Sequence, residues 1–97
     1  MSEVFGRQGD VVIRKQDVSG DLTATEGLVV AGASSHPHVI VGQCLFRREN
    51  RTTFVRVSVA TEMTHAGQHK PILLTPGDYA CSPLRERGDA GDRTVED

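Results

Sequence analysis

The sequence predicts an all-β fold, a small single-domain barrel or sandwich. Apolar residues come in short clusters, and β-branched residues dominate those clusters. Gly, Pro, Asn and Asp separate them at regular intervals. No segment keeps a helical period for three turns. β-branched side chains are stiff and suit a pleated surface, so each cluster reads as a strand.

The first strand is Val11-Val12-Ile13, entered through Gly9-Asp10. Leu28-Val29-Val30 follows, bounded by Gly27 and Gly32. Val39-Ile40-Val41 is next and ends at Gly42. The clearest hairpin runs from Gln43 to Ala60. Cys44 to Arg47 rises into a turn near Glu49-Asn50, where Asn tolerates the positive φ that tight hairpins need. On the return, Val55, Val57 and Val59 share one face, expected to be core; Phe54, Arg56 and Ser58 share the other. Lys70 to Leu74 gives another strand, with Pro71 at its start or on an edge. Thr75-Pro76-Gly77-Asp78 is a turn, and Tyr79-Ala80-Cys81 returns from it. The expected total is about six or seven strands. Residues 1–84 form the compact domain, and 85–97 read as an exposed, disordered acidic tail.

Charge supports that division. Residues 1–84 hold eight Lys/Arg and eight Asp/Glu, whereas the last thirteen residues supply the whole net charge of −2. A neutral body does not attract polyanions. Aromatic residues make up 4% of the chain and Trp is absent, which argues against a stacking platform for single-stranded nucleic acid. No apolar run is long enough to cross a membrane, so a cytoplasmic location and no membrane partner are expected. Cys44 and Cys81 are then buried thiols rather than a disulfide. Asn50-Arg51-Thr52 matches a glycosylation sequon and reads as a turn; Arg87-Gly88-Asp89 falls in the charged tail.

All four histidines fall in two pairs, His36-Pro37-His38 and His65 with His69. Residues two apart on an extended segment project to one side, so His36 and His38 can converge. Gly67 and Pro71 favour a loop for the second pair, and a loop can still join the rings. Neutral imidazole is the commonest nitrogen ligand of transition metals. The expected site is therefore a divalent metal, Zn, Fe or Ni, or another ligand, held by His36, His38, His65 and His69. Glu62 lies close enough in sequence to serve as a carboxylate ligand or to support the histidines from behind. Rings near phosphate or a neighbouring subunit would instead change charge together near about pH 6.5.

Arg47, Arg48, Arg51 and Arg56 cluster on the hairpin beside Phe46 and Phe54. A basic ribbon of this kind can grip nucleic-acid backbone. The less specific reading, a solvated hairpin that protects a strand edge, fits the neutral body better. No phosphate-binding glycine loop, zinc-finger spacing or complete catalytic set appears.

Two resemblances follow from these residues. His36-Pro37-His38, a later His and the Leu74-to-Tyr79 turn look like a shortened cupin barrel. That likeness implies His36 and His38 as first metal ligands and His65 or His69 as a later one. The Glu that cupins carry shortly after the pair has no counterpart; the next Glu is Glu49. The chain also resembles a group of short bacterial proteins of unassigned function. The shared segments are Gly9-Asp10-Val11, His36-Pro37-His38, Thr64-His65 with His69, Pro71 to Tyr79, and Arg85-Glu86. The alternative function is a structural or adaptor subunit of a homo-oligomer or larger complex, with RNA among its partners.

Overall fold

The computed structural model describes residues 3–30, 37–65, 69–83, 85–88 and 91–94; for His69 and the last two strands it describes the backbone alone. The chain is all-β, as expected. Its strands are β1 (Glu3–Gln8), β2 (Val11–Lys15), β3 (Thr23–Val30), β4 (His38–Glu49), β5 (Thr52–Val57), β6 (Thr61–His65), β7 (His69–Leu74) and β8 (Gly77–Pro83). The order is β1-β2-β8-β5-β4-β6-β7, with β3 paired to β4 beside this path. Every ladder is antiparallel.

β4 is the spine. The expected strand over Val39–Val41 does not stop at Gly42 but runs on into the hairpin. On the flank away from β3, β6 pairs with residues 38–40 of β4, and β5 pairs with residues 45–49. Two arms, β5-β8-β2-β1 and β6-β7, therefore leave one long strand. They meet again where β1 packs on β7, which nearly closes a seven-stranded barrel. Gly42 marks the divergence. Its N–H donates to Thr61 Oγ1 at 2.8 Å, and a Cβ there would lie 2.6 Å from that oxygen. Pro71 sits in β7, the end strand of the path, where a missing N–H is tolerated.

The core fills the barrel with Val11, Ile13, Val30, Ile40, Val55, Met63, Leu74 and Tyr79, among others. Val55 and Val57 are buried as expected, but Val59 is 76% exposed, because β5 ends at Val57 and the alternation ends with it. Asn50 holds φ 56° between Glu49 and Thr52, the turn the sequence indicated. Cys44 and Cys81 are free and buried. Burial raises both thiols, and pushes Cys81 up to about 12 with Cys44 adding to the effect, so both stay protonated core groups. After Pro83, two short strands, β9 (Arg85–Gly88) and β10 (Gly91–Thr94), pair with each other as a separate sheet. Among the described residues no helix is long and apolar enough to cross a membrane.

Candidate functional site

The strand registers bring histidines together. His38 on β4 stands opposite His65 on β6, and His65 stands opposite His69 on β7. The expected loop around His65 and His69 is thus, at both histidines, paired strand. Three of the four histidines occupy one cross-strand row. His36 lies outside the described residues.

His38 and His65 are buried at 0% and 1% exposure. Their rings stack with centroids 3.8 Å apart and planes 14° apart. His38 is held at both nitrogens: Nδ1 lies 3.0 Å from Gln8 Oε1 and Nε2 lies 3.1 Å from Asp10 Oδ1. Gln8 and Asp10 flank Gly9, whose φ of 55° makes the tight β1–β2 turn that points both side chains inward.

The network fixes a proton count. Gln8 Nε2 donates to the carbonyls of Met63 at 2.8 Å and Lys70 at 3.0 Å. That sets the amide orientation, so Oε1 is an acceptor and His38 Nδ1 carries a hydrogen. One proton then lies between His38 Nε2 and Asp10. The pair is imidazolium with carboxylate, or neutral imidazole with carboxylic acid. Gln8 also stitches β1 to β6 and β7, across the seam where the barrel closes.

This geometry changes the expected metal site. Ring lone pairs lie in the ring plane. Two nearly parallel, stacked rings aim theirs side by side, not at one point, so His38 and His65 do not chelate a single ion in this arrangement. Among the described residues no three His, Cys, Asp or Glu side chains are grouped to hold a metal. Glu62 is exposed and points away from the row, because it alternates with buried Met63 on β6. The carboxylate beside the histidines is Asp10. In the sequence Gly9-Asp10 marks only the entry to a strand, and nothing local signals that Gln8 and Asp10 face the histidines. Only the β1–β2 pairing turns them toward His38.

Three of the four hairpin arginines bond within the chain. Arg47 donates through Nη1 to the Ser19 carbonyl and lies over the Phe54 ring at 5.1 Å. Arg48 reaches the Val29 carbonyl at 2.6 Å and lies over Phe46. Arg56 bonds Asp78 at 2.9 Å and the Val18 carbonyl at 2.7 Å, while Asp78 accepts from the Val18 N–H at 2.9 Å. Together these pin the β2–β3 connection to the barrel wall. Arg51 is exposed in the hairpin turn.

The hydrogen bond from Arg56 holds the Asp78 carboxyl below its usual range; burial opposes this and the Val18 N–H adds to it. A depressed carboxylate stabilises the fold above its unfolded value and loses that contribution as pH falls through its folded value. Asp78→Asn should therefore lower Tm at neutral pH, with the gap to the parent narrowing below about pH 4. Thermal melts across pH check this; a gap independent of pH would refute it.

The chain belongs to the family described as Domain of unknown function (DUF8820), whose model matches residues 7–82. The match spans Gln8, Asp10 and the histidine row. No curated protein and no solved structure matches the chain.

Proposed function

We propose that the chain is a small binding domain that takes a divalent metal ion or another ligand at its histidine row. The supporting observation is the register that sets His38, His65 and His69 opposite one another on three adjacent strands. Directly opposed residues of an antiparallel pair have Cβ atoms about 4.5–5.5 Å apart. Two imidazoles at that spacing can reach one ion at about 2.0–2.1 Å. In this reading His65 and His69 are ligands, and His38 is their support, locked by Gln8 and Asp10. The cupin likeness adds His36 as a further ligand. Imidazole suits Zn, Fe or Ni.

Untagged protein should carry a stoichiometric divalent metal in elemental analysis. His65→Ala and His69→Ala should each lose it while staying folded by circular dichroism. Metal content unchanged in both variants, or no uptake on dialysis against Zn, Fe or Ni, would overturn the proposal.

A second reading, an adaptor or homo-oligomer subunit, has its own support. Val29, Val41 and Leu73 are 48%, 50% and 55% exposed along β3, β4 and β7. Apolar side chains on outer strand faces favour assembly. A metal-independent oligomer in light scattering would favour this reading over the first. RNA is the weaker partner for it, since Arg47, Arg48 and Arg56 are already engaged within the chain.

A further inference from the structure

The divergence of the two arms opens a second site. A cavity of about 650 Å³ lies between β3, the Gly42–Leu45 stretch of β4 and the β5–β6 link. It shares no residue with the histidine row. Its volume is in the range of small-molecule sites, about 300–1,000 Å³.

The cavity follows from the ladder. On this flank β6 pairs only as far as Ile40, and β5 begins at Leu45. Among the described residues no strand lies beside 41–44 there, and the link over 58–60 passes in its place. The lining is mixed. Leu45, Val59 and Ala60 supply apolar wall, and Gln43 and Ser58 supply hydrogen-bonding groups. Glu26 is the one charged side chain among the described residues that line it. Among the described residues Glu26 has no ion-pair partner. An apolar wall with a single unpaired carboxylate selects a ligand with one positive charge and a short hydrocarbon body.

We infer that this cavity binds a small organic cation, an alkylammonium whose charge meets Glu26 and whose chain lies along Leu45 and Val59. An anion of the same size is rejected, because it would bring like charge to Glu26. The discrimination is electrostatic, so added salt weakens it.

The test uses n-butylammonium and butyrate, matched in length and opposite in charge, with amide chemical shifts of the full chain as readout. Butylammonium should shift the amides of residues 24–26, 42–45 and 58–61 in a saturable way, and butyrate should not. Glu26→Gln should weaken butylammonium severalfold with Tm unchanged, because Glu26 is exposed and among the described residues its side chain has no ion-pair partner. Equal responses to the two probes, no response to either, or full affinity in Glu26→Gln would each overturn the inference. None of these outcomes bears on metal at the histidine row.

Discussion

Asp10→Ala is expected to cost about 3 kcal/mol, the upper end of the penalty for taking the hydrogen-bond partner from a buried polar group. For a chain near this length, about 4–8 °C of Tm accompanies each kcal/mol, so the midpoint should fall by about 12 °C or more. The cause is the proton count. His38 Nδ1 is committed to Gln8, and the proton at Nε2 is shared with Asp10. With Ala in place of Asp10, the fully buried His38 Nε2 loses its hydrogen bond to Oδ1. Asp10→Asn should cost far less, about 1 kcal/mol, because the amide can turn and donate to a neutral Nε2. Thermal or urea unfolding of the two variants decides it. If Ala costs no more than Asn, the pair does not carry weight in the fold.

The contrast between Asp10 and the histidines shows what the sequence makes legible. Strands betray themselves through local pattern, so Val11–Ile13, the Asn50 hairpin and the Val55/Val57 face could be read directly. β1 and β6 could not. β1 carries a register shift between Val4 and Gly6 that breaks its alternation, and its buried Gln8 is polar. On β6, Met63 and His65 are inward residues among polar neighbours, held by β4, which is far away in sequence. Val59 continued the alternation by sequence, but the backbone leaves the strand at Val57.

The site is legible in the same uneven way. Residue type alone suggests that the histidine pairs converge; the contact the fold makes is the stacking of His38 on His65. What holds them was hidden, because a Gly-Asp turn gives no sign of the element it will face. Glu62 looked closer by number, yet strand alternation sends it to the other face of β6. Proximity along the chain is a poor guide to proximity across a barrel, where long-range pairing sets which groups touch.

Tyr79→Ala is the other large effect, about 3–5 kcal/mol by analogy with other large aromatic truncations in cores. Tyr79 is wholly buried and heads the fully buried side chains by volume. On β8 it stands opposite Lys15 of β2 and Val55 of β5, at the centre of one arm. Its ring meets Phe5 edge-on, with centroids 5.1 Å apart, and so ties β8 to β1 at the strand that closes the barrel. Its hydroxyl donates to the Thr75 carbonyl at 2.5 Å and fixes the turn before β8. Ring and hydroxyl can be separated by substitution. Tyr79→Phe keeps the packing and loses the hydroxyl's hydrogen bonds to the Thr75 carbonyl and to Thr75 Oγ1, each worth about 0.5–1.5 kcal/mol at most, because Thr75 is exposed and both of its groups can turn to water. Denaturant unfolding of both variants gives the two parts. If Phe costs as much as Ala, the hydroxyl and not the ring organises this end of the barrel, and the account of closure through Phe5 fails.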